Sequence, residues 1–465
     1  MLGIGGIGMS ALARYFNAIN VKVYGYDKTQ TPLTAELESE GIAIHYEHQI
    51  EFISSCLNAE AWTYLNTCVI YTPAVGKDDP ELDYFRKAEF KIFKRAEILG
   101  ILSEDLFTIA VAGTHGKTTT ASLITFLLKE SGINCAAFLG GIMKNYNTNF
   151  ILHRNKVNKN QLHDKTYPII IEADEYDRSF LTLNPLISVI TSVDADHLDI
   201  YGDYAQMIKS YEQFASKLRP GGNLIVHNRV TKIINYVGLY NAYAVEPPAN
   251  YYVENLEIIE GRYYFDLIYP KGKIEKLTCG LPGLHNVENS IAAIIVALEF
   301  GISPDKIREN LANFSGVKRR FDVILRTDQT IYIDDYAHHP EELNAFIHSV
   351  RTMYPKKKLT GIFQPHLFSR TKDFVNEFAH SLDQLDECLL LDIYPAREMP
   401  MQGVTSKLIL DCMRLPLKRI VSKQDVLAEL ESDTKEVILT MGAGNIDELI
   451  VPIKNLLLKN QVIEK

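Results

Sequence analysis

The stretch "LFTIAVAGTHGKTTTASLITFLLKESG", residues 106–132, decides the architecture. An unbroken apolar run ends in a glycine turn, and Lys117 and Thr118 then open a segment that reads as a helix closing at Gly132. A strand delivered into such a turn presents free backbone N–H groups, and the positive end of the helix dipole, to a polyphosphate. Lys117 adds a mobile cation, and the Thr118 hydroxyl offers an oxygen to Mg2+. The general phosphate-loop template asks for a glycine five residues before Gly116, where this chain has Val111. The loop is therefore a shortened one, in which Gly113, Thr114, His115, Gly116, Lys117, Thr118 and Thr119 are expected to hold a nucleotide.

Further along, "YPIIIEADE" (167–175) and "LISVITSVDADH" (186–197) are strands with acidic residues or histidine at their carboxyl ends. Ligands of open α/β sheets bind outside those ends. Glu172 and His197 are the expected partners of Thr118 at a metal ion, with Asp174, Glu175 and Asp177 as alternative oxygen donors. In "GLHNVENSIAA" (283–293) Asn286 and Asn289 stand three apart at a helix entrance, where carboxamides can read an adenine edge or simply cap the helix. "GVKRRFD" (316–322) places Lys318, Arg319 and Arg320 in a charged linker, or one arginine against a phosphate. The last third holds "DDYAHHPEE" (334–342) and "FQPHLFSRT" (363–371). Asp334, Asp335, His338 and His339 follow one strand there, His366 and Arg370 another, and such polar clusters are costly unless solvated or used.

Toward the N-terminus, Gly3, Gly5 and Gly8, with Gly6 between them, make a glycine fingerprint that precedes a strand ending at Asp27. Glycines let any pyrophosphate approach a helix N-terminus, so NAD, FAD and a UDP-sugar satisfy the pattern alike. The turn starts at residue 3, where a strand of about five residues normally precedes it. The opening strand is therefore expected to be nearly absent and the domain weakened.

At 465 residues the chain predicts about three domains. The alternation of apolar runs and helical stretches restarts near residues 100 and 319. The expected fold is α/β: an N-terminal Rossmann-like domain (1–100), a central mononucleotide-binding domain of P-loop type (101–318), and a C-terminal Rossmann-like domain (319–465). Hydrophobic residues at 46% and charged ones at 23% fit a folded globular chain. A net charge of −10 argues against nucleic acid and acidic membranes as partners. Six scattered cysteines form no C-x-x-C pair, so neither a disulfide framework nor a zinc site is signalled. With no run of 18 or more apolar residues and no secretion signal, the expectation is a cytoplasmic protein, monomer or homodimer.

"GTHGKTTT", "EADE", "DADHLD", "GLHNVENSIAA", "KRRFD", "DDYAHHP" and "FQPHLFSRT", taken with "GIGGIGMSALA", resemble the Mur ligases from residue 2 to about 450. That family uses a shortened GTxGKT loop, so the resemblance accounts for Val111. It implies an ATP- and Mg2+-dependent ligase that joins L-alanine to UDP-N-acetylmuramate through an acyl phosphate, and a recycling ligase that adds a tripeptide is the alternative. By the same resemblance Lys117 stabilises the transferring phosphoryl group, Thr118, Glu172 and His197 serve metal, and Asn286 and Asn289 face the adenine. Arg320 would face the phosphates and Asp335 the ribose, with His338, His366 and Arg370 near the acceptor amino acid. Gly3, Gly5, Gly6 and Gly8 would cradle the UDP pyrophosphate. Several family members carry a carbamoylated lysine beyond the metal histidine. Lys209 and Lys217 follow His197 here, but Glu212 stands at the expected spacing, so no modified lysine is assigned.

Overall fold

A computed structural model describes the chain except for residues 59–61, 64, 77, 153–166, 197, 260, 397, 432–434 and 464–465. Two compact units result. The first contains Met1–Glu257, Tyr264–Gly280 and His285–Ser315, and the second contains Ile258–Tyr263, Leu281–Leu284 and Gly316–Lys465.

The first unit opens with a small parallel sheet. Strands β1 (Tyr24–Tyr26) and β2 (Ala43–His45) pair with each other, as do β3 (Cys68–Tyr71) and β4 (Lys91–Lys94). Leu2 lies between the two pairs, bridging to Tyr26 on one side and Tyr71 on the other. It is buried, and its N–H donates to Ile70 O at 2.8 Å. The opening strand is nearly absent, as the sequence led one to expect: Leu2 alone bridges the two pairs. Gly3 N and Ile4 N both donate to Tyr26 O, which turns the chain directly into the helix Ile7–Ala18.

The central sheet of the same unit has seven strands. They are β5 (Phe107–Ala112), β6 (Ala136–Met143), β7 (Thr148–Leu152), β8 (Pro168–Glu172), β9 (Ile187–Ile190), β10 (Asn223–His227) and β11 (Tyr240–Tyr243), in the order β11-β10-β9-β5-β8-β6-β7. All neighbours are parallel except the β6–β7 edge pair. Strand β5 is central and buried along nearly its whole length, as its unbroken apolar run requires. The phosphate-loop helix, Lys117–Glu130, ends on Ser131 and left-handed Gly132. A three-stranded sheet follows, β12 (Tyr252–Ile259), β13 (Arg262–Tyr269) and β14 (Gly272–Cys279), and then the helix Leu284–Glu299.

The N-terminal and central sheets fall within one unit because the helix Ile7–Ala18 lies on the β6–β7 edge. Asn149 Nδ2 donates to Ile7 O and Ser10 Oγ, and the buried Arg14 donates to Asn149 Oδ1. Tyr15 packs on Phe138 and Phe150 beside them.

The second unit is a six-stranded sheet in the order β15-β16-β20-β17-β18-β19. Its strands are β15 (Asp322–Arg326), β16 (Ile331–Asp335), β17 (Leu359–Phe363), β18 (Glu387–Leu390), β19 (Lys418–Ile420) and β20 (Val437–Met441). Only β15 runs antiparallel. Apolar clusters cover both faces, as a mostly parallel sheet demands. Among the described residues no helix is long and apolar enough to cross a membrane.

Candidate active site

In the first unit the loop between β5 and its helix is held open by backbone geometry that only glycine adopts cheaply. Gly113 has φ +138° and Gly116 φ +80°. Side chains cannot enter either: a methyl on Gly113 would lie 2.8 Å from Ser192 N, and one on Gly116 would lie 2.5 Å from Asn289 Oδ1. The segment after β9 braces the loop from outside. Thr191 Oγ1 donates to His115 O at 2.5 Å, and His115 N donates to Ser192 Oγ at 2.9 Å. Thr114 Oγ1 bonds Ser192 Oγ at 2.8 Å and Asp194 Oδ2 at 3.2 Å, while His115 Nε2 stands 3.8 Å from that same carboxylate. Sequence reasoning had placed only His197 on this segment, and His197 lies outside the described residues.

Lys117 Nζ folds back onto the loop. It donates to Gly113 O at 2.6 Å and pairs with Glu175 at 2.8–2.9 Å. Glu175 is 1% exposed, and this burial, opposed by Lys117, pushes its carboxyl up to about 7. For Lys117 burial works downward, but Glu175 and then Asp174 outweigh it, so the ammonium is held above its ordinary range and stays charged. Glu175 is thus the lysine's counter-ion, a role distinct from the oxygen-donor alternative its sequence position suggested. Its carbonyl is fixed by Tyr201 Oη, which donates at 2.6 Å.

Glu172 ends β8 beside the loop. Its Oε1 accepts from Thr118 Oγ1 at 2.7 Å, and its Oε2 accepts from Gly140 N at 2.6 Å. Thr118 and Glu172 therefore converge, as hard oxygen donors, beside the first turn of the phosphate-loop helix. Thr119 is buried next to them. Gly140 is a site residue that motif reading passed over, because its contact depends on the pairing of β6 with β8. The structure directs Asp174 elsewhere: its Oδ1 accepts from Tyr176 N at 3.1 Å, and its Oδ2 lies 3.6 Å from Arg95. Asp177 pairs with Lys94 at 2.7 Å.

Asn286 and Asn289 are both buried. Asn289 Nδ2 donates to Asn286 Oδ1 at 3.1 Å, and Asn289 Oδ1 accepts from Thr120 Oγ1 at 3.1 Å. The pair thereby ties the helix Leu284–Glu299 to the phosphate-loop helix. Glu212, the residue at the carbamoyl-lysine spacing, accepts from Asn235 N at 2.7 Å. In the N-terminal sheet Gly5 N donates to Asp27 Oδ2 at 2.8 Å, so Asp27 shapes the glycine turn itself. Gly6 caps the helix without a side-chain acceptor, and Gly8 lies in its first turn.

The remaining candidates belong to the second unit. Asp335 is clamped at the end of β16: Oδ2 accepts from Phe321 N at 2.6 Å and Oδ1 from Ala337 N at 2.8 Å. Burial raises its carboxyl to about 6, with Arg320 opposing. Arg320 lies 5.2 Å from the Tyr336 ring and 3.8 Å from Glu342. Arg319 is the more enclosed of the two, near Asp334 at 3.4 Å and Asp447 at 3.6 Å. Lys318 precedes them in the same turn. His338 Nδ1 lies 3.0 Å from Tyr336 O and 3.1 Å from Glu342 Oε2. Its ring meets that of His366 edge-on at 5.8 Å, and His366 stacks on Tyr394. Arg370 follows in the short helix Phe368–Asp373, with Nη1 buried and without a hydrogen-bond partner among the described residues. His339 instead packs on Phe374. Within this unit, then, Arg320, Asp335 and His338 gather around Tyr336 and Glu342, and His366 joins them through the His338 ring.

Comparison with known proteins sets this geometry in context. Three family models match in order: Mur ligase family, catalytic domain, over residues 1–106; Mur ligase middle domain over 111–297; and Mur ligase, glutamate ligase domain, over 319–444. The chain is 47% identical to the UDP-N-acetylmuramate–L-alanine ligase of Flavobacterium johnsoniae, covering 99% of this chain and 97% of that one. It is 46% identical to the enzyme of the same name from Parabacteroides distasonis, covering 98% and 96%. Among solved structures, the UDP-N-acetylmuramate–alanine ligase of Thermotoga maritima superimposes with a TM-score of 0.79 at 26% identity, covering 100% of this chain and 99% of that one. A murein peptide ligase from Psychrobacter arcticus shares the fold, with a TM-score of 0.68 at 20% identity over 98% of both chains.

Proposed function

The chain belongs to the Mur ligase family, with its three-domain architecture, and on that premise we propose that it joins L-alanine to the carboxylate of UDP-N-acetylmuramate at the expense of ATP, a step of peptidoglycan precursor synthesis. The domains run over 1–100, 101–318 and 319–465, binding the UDP-sugar, ATP, and ATP with the amino acid respectively. The relatives that carry this name align along nearly their whole length, which favours L-alanine over a tripeptide as the acceptor.

The muramyl carboxylate attacks the γ-phosphate of ATP, giving an acyl phosphate and ADP. The amine of L-alanine then adds to the acyl carbon, and the tetrahedral intermediate collapses with loss of phosphate. Catalysis of this kind is positioning and electrostatics. Gly113 to Thr119 supply backbone donors and the helix dipole to the phosphates. Lys117, kept charged by Glu175, needs only to exchange carbonyl and carboxylate contacts for phosphate oxygens. The family resemblance assigns Arg320 to the phosphates, Asp335 to the ribose, and Asn286 and Asn289 to the adenine.

The chemistry of the donors suits Mg2+: a carboxylate and a hydroxyl 2.7 Å apart, beside the phosphate loop, are hard oxygen ligands. Thr118 and Glu172 would hold that ion, and His197 a second; the ions would neutralise charge on the phosphates. His338, His366 and Arg370 line the acceptor side. The chain works in the cytoplasm as a monomer or homodimer.

The convergence of Lys117, Thr118 and Glu172 on the Gly113–Gly116 turn carries this reading. Its test is phosphate release from ATP with UDP-N-acetylmuramate and, separately, L-alanine, L-serine, glycine or the tripeptide. Release that depends on both UDP-N-acetylmuramate and L-alanine supports it. Binding of ATP without release under any combination would refute it.

A further inference from the structure

Arg320, which the family resemblance assigns to the phosphates, stands in a strained turn. The residues on either side of it, Arg319 and Phe321, have φ +62° and +44°, although neither is glycine. Such a conformation persists only where surrounding contacts fix it. Backbone donors supply part of the hold: Arg319 N donates to Asp322 Oδ2 at 3.2 Å, Phe321 N to Asp335 Oδ2 at 2.6 Å, and Tyr336 N to Arg319 O at 2.7 Å. The Arg319 side chain supplies the rest. Its Nη2 donates to Gly442 O at 2.5 Å and its Nη1 to Gly444 O at 3.5 Å, while Nε stands 3.4 Å from Asp334 Oδ2. Asp334 is fully buried, and the Arg319 side chain is 18% exposed against 37% for Arg320.

The sheet topology shows why a long side chain is needed there. Strands β16 and β20 are neighbours, but the chain leaves β16 for the helix Pro340–Met353 on one face and leaves β20 for the helix Ile450–Ile463 on the other. Connections that part in this way open a crevice at the carboxyl ends of the two strands, ordinarily a place for a ligand. Here Arg319 spans it, from the turn before β15 to the loop after β20. That loop is itself fixed, because Gly442 has φ +140° and a methyl on it would lie 2.7 Å from Gln364 O. Both guanidinium groups lie over the Tyr336 ring, 5.0 Å from its centre for Arg319 and 5.2 Å for Arg320, so a shift of one disturbs the seat of the other.

We propose that Arg319 is a positioning residue: it ties the strained turn to the β20 loop, fixes the direction in which Arg320 is presented, and acts on phosphoryl transfer through Arg320. The inference rests on the ligase reading, which assigns Arg320 to the phosphates. The competing account makes Arg319 only the counter-ion of the buried Asp334. Arg319→Lys separates the two, since it keeps the charge beside Asp334 but lacks the planar fork that spans two carbonyls. In the phosphate-release assay, with UDP-N-acetylmuramate and L-alanine saturating, Arg319→Lys lowers kcat at least tenfold. The same change made in Arg320→Ala lowers kcat less than threefold further, because no arginine is left to aim. If Arg319→Lys does not fold, Arg319→Met combined with Asp334→Asn removes both buried charges and carries the same comparison. The counter-ion account expects parental kcat from that pair, the positioning account a loss of at least tenfold that disappears in Arg320→Ala. A loss below tenfold in the folded variant, or one that persists beyond threefold in Arg320→Ala, would overturn the proposal. Parental kcat in Arg320→Ala would overturn it together with the assignment of Arg320, whereas a parent protein that releases no phosphate with any combination of substrates would count against the ligase reading itself.

Discussion

Gly140 gives the sharpest test of the phosphate-loop geometry, because it touches no substrate in the proposed reaction and still controls where a ligand group points. A methyl built on it would lie 2.5 Å from Glu172 Oε2 and 2.6 Å from Cδ, where ordinary contact is 3.4–4 Å. Its φ lies outside the left-handed region, so Gly140→Ala carries no backbone strain of its own. The alternative to bending β6 is retreat of the Glu172 carboxylate by about 0.9 Å. That stretches the 2.7 Å bond from Thr118 Oγ1 beyond hydrogen-bonding range and separates the two donors assigned to Mg2+. A misplacement of this size costs about 100-fold in rate, or about 2.7 kcal/mol of barrier. The assay is phosphate release under saturating UDP-N-acetylmuramate and L-alanine, titrated with Mg2+. The expected outcome is a kcat lowered 10- to 100-fold, a higher Mg2+ half-saturation and an unaltered KM for the UDP-sugar. A kcat within threefold of the parent's, with the same Mg2+ response, would refute the reasoning that Glu172 and Thr118 act as a pair.

Lys117→Ala removes the cation from the phosphate loop and is expected to lower kcat by about 10²–10³-fold, measured in the same assay. Glu175→Gln leaves the mostly buried Lys117 without its counter-ion; chemical denaturation should show a loss of about 3 kcal/mol, and a loss below 1 kcal/mol would mean that the loop carbonyls suffice. Asp334 sets a pH dependence. Burial, opposed by Arg319, raises its carboxyl to about 7, so between about pH 4 and pH 7 the folded chain binds more protons than the unfolded one and stability falls as pH rises. Asp334→Asn should therefore flatten the stability profile across that window, by up to about 4 kcal/mol between its ends; a slope as steep as the parent's in denaturation at pH 5 and pH 8 would count against it.

What could be read from the chain alone follows the range of the interactions involved. The GTHGKTTT turn was legible because everything that shapes it is local: an apolar run, two glycines needing positive φ, and a helix that stops at Gly132. The four acids of "EADEYD" were visible as a group but not individually. Asp177 and Arg178 both adopt φ +54°, a turn that nothing in the residue types demands, and it accompanies a division of labour in which Glu172 faces Thr118, Asp174 faces Arg95, Glu175 faces Lys117 and Asp177 faces Lys94. Alternation along a strand could not yield that division. Gly140 was silent because it acts across a pairing that the sequence does not encode locally. The β6–β8 register, Phe138 opposite Ile171, brings Gly140 to the tip of Glu172. Motif residues thus mark where the chemistry is done, while the residues that aim them are recoverable only once strand order and register are known, and it is such an aiming contact that Gly140→Ala disturbs.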